Sequence, residues 1–181
     1  MDKKTLLSLR TQLLISAVVA IVFLAVIVER SAVNIFLIIL VCFLGTFALD
    51  LEYPLYAYLF EPEKGFSKNL RGYVKDKDYK GALKYIFYNR GDVVDKSLNS
   101  ALFQIIFAVL TILVAYTSTS NVVTALVFSI FANSIFKMWE HYFNGQTDEW
   151  FWALKNKPDK KGIVIYSAAM ILVLIFSFAI L

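Results

Sequence analysis

Asp50 and Glu52 stand two positions apart in Leu49-Asp50-Leu51-Glu52, and the chain's only histidine, His141, follows much later. Two carboxylates and an imidazole are a donor set for a divalent metal. A metal held that way lowers the pKa of a bound water and turns it into a nucleophile. Further polar groups gather near them in order: Asp92, Asp95, Lys96 and Asn99, then Asn133, Lys137 and Glu140, then Asp148 and Glu149 ahead of Trp150-Phe151-Trp152. By residue type, Asp50, Glu52 and His141 are the candidate metal ligands and catalytic groups. Asp95, Asn99, Asn133, Lys137 and Glu140 are the polar cluster around them. A second reading stands beside this one. Charged groups at helix ends and a Trp pair also anchor spans at the headgroup level, and buried Asn side chains bond across helices. Cys42 is the single cysteine, lies in an apolar run and has no CxxC or Cys/His spacing, so it reads as a small buried hydrophobe.

The elements that must position these residues are apolar. The chain has 181 residues, 59% hydrophobic and 18% charged, with a mean hydropathy of +0.66, far from the balance of a soluble domain. Long uncharged runs rich in Leu, Ile, Val, Phe and Ala predict an all-α integral membrane protein, because helices satisfy their own backbone in lipid. The runs predict a bundle of five spans, at about residues 11–28, 32–49, 99–117, 121–139 and 162–181, in one membrane domain. The first run is too long for a signal-peptide core and no small-residue cleavage site closes it, so it reads as a retained span.

Basic residues set the orientation. Of eighteen Lys and Arg, three precede the first span, nine lie between the second and third, and five lie from the end of the fourth span to the fifth. Only Arg30 falls on the other side, where it can snorkel or pair with Glu29. This places the N-terminus in the cytoplasm, the C-terminus outside, and the chain in the cell (inner) membrane. Asn121 is positioned to cap the fourth helix and Asp159 the fifth, and Pro54 predicts a bend or stop in the second.

Residues 50–98 form the sizeable cytoplasmic segment. Within it, Asp78–Asn89 reads as an amphipathic helix between spans 2 and 3, with Tyr79, Leu83, Ile86 and Phe87 on one face and Lys77, Lys80 and Lys84 on the other. Such a helix lies at lipid headgroups or braces the inner ends of the spans.

At these residues the chain resembles the membrane-bound metal-dependent hydrolases of prokaryotic inner membranes. That family carries a small-x-x-Pro-Asp-x-Asp pattern ending an early span and a Ser/His-Ser pair opening a later one. A His with an Asp four residues on follows in the next span, then a Trp-rich stretch. The segment from Leu44 to Glu52, with Asp50 and Glu52 as the acidic pair, resembles the first element, and Ser97-Leu98-Asn99-Ser100 the second. Asn133 with Lys137 occupies the third, and Trp150-Phe151-Trp152 resembles the last. The order of elements matches over about residues 44–154, while the family's histidines appear as Asn99 and Asn133 and its last acid as Lys137. The resemblance thus implies a hydrolase-like scaffold whose metal site is lost.

Three functions follow for testing. One is a non-catalytic membrane scaffold or assembly protein, partnered by the lipid bilayer and by a second copy or another membrane protein. Another is a membrane-interface metal-dependent hydrolase of a phosphoester or lipid headgroup, with Asp50, Glu52 and His141 on a divalent metal; no cofactor is expected otherwise. The third is a small transporter or channel with Asp50 as ion site. Nucleic acid is not expected as a partner, since orientation accounts for the basic segment. A Lys137 paired to Asp50 or Glu52 favours the scaffold, a bound metal the enzyme, and a water path past Asp50 the transporter.

Overall fold

The computed structural model describes residues 3–89, 91, 93 and 97–181, and every regular element among them is helical. Helix α1 (Lys3–Ile27) turns back through Val28–Ser31 into α2 (Ala32–Ala48). The path of α2 continues through a 3-10 turn Leu49–Leu51, the short α3 (Glu52–Leu55) and a π-helical turn Tyr56–Phe60. Thus Pro54 does not end the helix. The winding changes on both sides of it instead, as expected where a ring without an N–H interrupts the regular ladder.

Next come α4 (Gly65–Lys75) and α5 (Tyr79–Tyr88), a helical hairpin, followed by α6 (Ala101–Thr117), α7 (Asn121–Phe143), α8 (Thr147–Trp150) and α9 (Lys160–Ala179). Four helices among the described residues are long and apolar enough to cross a membrane: Leu7–Ile27, Ala32–Phe60, Asn121–Phe143 and Lys160–Ala179. The expected third span is the apolar helix α6, shorter at 17 residues, or about 25 Å of rise.

Helix α7 is the hub. It packs against α1, α2, α6 and α9, and 72% of its apolar window is buried, against 28%, 28% and 22% for the other three long helices. Phe23 and Phe128 meet edge to face at 5.8 Å, with Ile38, Cys42 and Ala125 closing the same cluster. Gly45 of α2 lies so close to α7 that an added Cβ there would sit 2.7 Å from Ser129 Oγ. The absent side chain is what lets the two backbones approach.

Helix starts follow side-chain chemistry. Ser31, Asp78, Ser100, Ser120 and Asp159 each accept a backbone N–H at the opening of α2, α5, α6, α7 and α9. Asp159 therefore caps as expected, but Ser120 takes the place expected of Asn121. Asn121 instead donates to Glu29 Oε2 at 3.5 Å. Glu29 also accepts from the backbone N–H groups of Arg30 and Ser31, both at 2.9 Å, and from Asn34 Nδ2 at 3.2 Å. These bonds, the Ser31 N–H first, hold its carboxyl below the usual carboxylate range. Arg30, expected to snorkel or to pair with Glu29, thus reaches Glu29 through its backbone N–H. The same turn holds Val28 at φ 49°, a left-handed conformation that is costly for a β-branched residue.

The hairpin α4–α5 has its own small core of Phe66, Leu70, Ala82 and Val93 against Tyr53, Tyr56 and Ala57. Phe66 and Tyr85 pack ring on ring at 5.4 Å. The helix predicted at Asp78–Asn89 forms, with Asp78 and Asn89 as its caps. Its buried side, however, is Ala82 with Tyr85 and Ile86. Tyr79, Leu83 and Tyr88 are left exposed.

Candidate functional site

Asp50 and Glu52 diverge. Residues two apart on a helical path do not share a face, and here they serve different neighbours. Asp50, in the 3-10 turn, takes an ion pair from Lys137 of α7 at 3.3 Å. The Lys137 side chain is 5% exposed and Asp50 26%. One turn along α7, Glu140 approaches the same ammonium at 3.8 Å. Lys137 is therefore a tethered cation between two carboxylates, joining the end of α2 to α7.

Glu52 is buried and turns to the segment before α6. Its oxygens accept from Leu98 N at 2.9 Å, Asn99 N at 3.2 Å and Asn99 Nδ2 at 2.6 Å. Asn99 Nδ2 also donates to Leu49 O at 3.0 Å. A carboxylate acceptor on one side and a carbonyl on the other fix which end of the Asn99 amide carries the NH2 group. This charge-assisted cluster ties α3 to the entry of α6.

Asn133 belongs to a third, neutral network deeper in the bundle. Its Nδ2 donates to Ser16 Oγ at 2.9 Å and to Ser129 O at 2.9 Å. Ser16 Oγ also meets Thr46 Oγ1 at 2.7 Å and Ser129 Oγ at 3.1 Å, and Ser129 Oγ donates to Cys42 O at 2.6 Å. Three helices, α1, α2 and α7, are thereby stitched by hydroxyls and one amide. Asn99 and Asn133 both bond across helices, in separate clusters. Ser16, Thr46 and Ser129 were not singled out from sequence. The available signal was a hydroxyl inside each apolar run, alone in the second but accompanied by Thr11 in the first and by Thr124 and Ser134 in the fourth.

His141 sits one turn beyond Lys137. Its Nδ1 lies 2.9 Å from Lys137 O, which as a carbonyl accepts the N–H, and its ring packs on Trp150 at 5.1 Å. Trp150 and Phe151 are core residues with Met138 and Ile163, so only Trp152 of the aromatic run faces outward. Asp92, Asp95 and Lys96 lie outside the described residues. Among the described residues, no group of three or more His, Cys, Asp or Glu side chains is placed to hold a metal ion. Asp50, Glu52 and His141 sit in three different settings: an ion pair, a backbone cradle and an aromatic contact.

Helix α9 is hooked on by polar contacts as well. Trp139 Nε1 donates to Ser167 Oγ at 2.8 Å, and Tyr166 OH donates to Gln104 Oε1 at 2.9 Å. Beside Lys137 a cleft of about 370 Å³ opens, with Leu9, Gln12, Asp50, Leu83, Phe87 and Lys137 among its walls. No protein-family model, curated protein or solved structure matches the chain.

Proposed function

We propose that the chain is a non-catalytic membrane scaffold of the cell (inner) membrane that acts by assembling with a second copy or another membrane protein. The observation that carries this reading is the Lys137 ammonium between Asp50 and Glu140. Both carboxylates already face a cation built into the chain, so a divalent ion placed there would meet Lys137 as a like charge. Glu52 is likewise committed to backbone N–H groups.

The scaffold is read with five spans. Helix α6 is short, but a bilayer thins around a short helix at modest cost. The one-sided distribution of Lys and Arg supports a cytoplasmic N-terminus and an external C-terminus. On this reading the α4–α5 hairpin lies on the cytoplasmic face.

The test is elemental analysis of the full chain purified in detergent without chelator. The scaffold reading expects less than about 0.1 equivalent of any transition metal, and no phosphodiesterase activity upon adding manganese or zinc. One equivalent of bound metal that disappears in Asp50→Ala, with metal-dependent hydrolysis, would overturn it in favour of the hydrolase.

A further inference from the structure

The cleft beside Lys137 has a charge pattern that helix packing alone does not require. Its walls are mostly apolar, from the start of α1, the end of α2 and the outward face of α5, and its charged lining residues are Asp50 and Lys137. At about 370 Å³ it falls in the range of roughly 300–1,000 Å³ usual for small-ligand sites. Asp50 gives Oδ1 to Lys137, and its Oδ2 takes no hydrogen bond among the described residues. Lys137 is held by Asp50 on the cleft side and by Glu140, which does not line the cleft, at 3.8 Å, so its ammonium is already matched and the second oxygen of Asp50 is left to the cleft. Lys84 lines an adjoining hollow with Leu83, Phe87 and Tyr88, of which Leu83 and Phe87 are shared with the cleft. Exposed Leu83, Tyr79 and Tyr88 alternate on α5 with Lys80 and Lys84, the pattern of a helix seated among lipid headgroups.

We propose that this cleft binds one amine-bearing phospholipid. The ammonium of the headgroup donates to Asp50 Oδ2, the phosphate stands toward Lys84, and the upper part of an acyl chain follows Leu83 and Phe87. The separation of charge selects the occupant. A headgroup with a cation at its tip and an anion behind it matches the Asp50 oxygen left without a hydrogen bond and the Lys84 ammonium in the adjoining hollow, whereas a purely anionic headgroup brings no cationic donor to Asp50. The inference requires a membrane setting but is independent of whether the chain assembles or binds metal.

The experiment is native mass spectrometry of the full chain with phosphatidylethanolamine, phosphatidylcholine or phosphatidylglycerol of identical acyl chains. Phosphatidylcholine keeps the cation but has no N–H to donate, so phosphatidylethanolamine should be retained about tenfold better, the worth of one charge-assisted hydrogen bond. Asp50→Asn should abolish that preference. Leu83→Trp, which fills the cleft and leaves the Asp50–Lys137 pair in place, should lower retention of phosphatidylethanolamine while the melting temperature holds. Equal retention of phosphatidylcholine, a preference for phosphatidylglycerol, or unchanged retention in a folded Leu83→Trp overturns the proposal. If Asp50→Asn does not fold, the lipid series and Leu83→Trp decide. A metal-free protein without lipid preference sinks this inference alone and leaves the scaffold reading standing.

Discussion

Two polar regions share helix α7 and are built on opposite principles. Deep in the bundle, Ser16, Thr46, Ser129 and Asn133 form a neutral network in which hydroxyls both donate and accept. Nearer the α4–α5 hairpin, Lys137, Asp50, Glu140, Glu52 and Asn99 form charged clusters in which each ion has a partner. The neutral network loses little when one member goes, because the others still have donors and acceptors within reach. The charged layer has no such reserve, since removing one partner strands a desolvated ion. Tight packing of α2 on α7 belongs to the first region, and attachment of the start of α6 to the second.

The sharpest way to break this contrast is Lys137→Met, which strands Asp50 and Glu140. It should cost about 3 kcal/mol in a reversible unfolding assay, and Asp50→Leu added to it should recover most of the loss. A cost below about 1 kcal/mol would show that the charged layer is no more critical than the neutral one. Glu52→Gln comes next. An amide NH2 would then face the N–H donors of Leu98 and Asn99, for an expected loss of about 2 kcal/mol. Gly45→Ala tests the packing that goes with the neutral network. Its Cβ would lie 2.7 Å from Ser129 Oγ and 3.2 Å from the Ile130 backbone nitrogen, so the helices must part, at between about 1 and 3 kcal/mol.

Ser16→Ala removes a hub hydroxyl yet should cost only about 1 kcal/mol, since single hydrogen bonds between membrane helices average about 0.6 kcal/mol. A loss matching that of Lys137→Met would erase the distinction between the regions. The smallest effect belongs to Glu29, at the far end of α7. Its carboxyl is held below the usual range, chiefly by the Ser31 N–H. Its contribution is therefore complete above the ordinary carboxylate pKa, about 4.3, and is lost as pH falls through and below that value. A shallow decline of melting temperature in that acid window, flattened in Glu29→Gln, is the expected result.

Much of this arrangement was legible in the residues, and the gaps have physical causes. Apolar runs located every long helix, because length and composition decide what can be buried in lipid. Lys137 at the inner end of its span left a pairing with Asp50 or Glu52 as one of three outcomes, beside a bound metal and a water path, and the ion pair with Asp50 is the one found. Which acid it would be was not readable, because it depends on the change of winding at Leu49–Leu51 that turns the two carboxylates to different neighbours. Helix α4 was missed because its apolar positions are few and its partners, Tyr53, Tyr56 and Tyr85, come from other elements. The outward setting of Leu83 was hidden for a similar reason. Apolar spacing reports a face but not which neighbour claims it, and α4 claims the side of Ala82. Trp150 read as an interfacial anchor, yet it packs on His141 in the core, a pairing set by the fold of the loop after α7.

The apolar 18-residue window of α7 has a mean hydropathy of 1.6, against 2.2, 2.6 and 2.4 for those of the other three long helices, and the helix carries Lys137 besides. It is also synthesised after α1 and α2, which hold most of the partners its polar side chains use. On a ribosome feeding a translocon, the least apolar span would then reach a bilayer where Ser16, Thr46 and Asp50 already wait. Insertion of α7 would be assisted by its own protein, and a chain shortened from the front would release this helix into lipid with its lysine left to Glu140 alone.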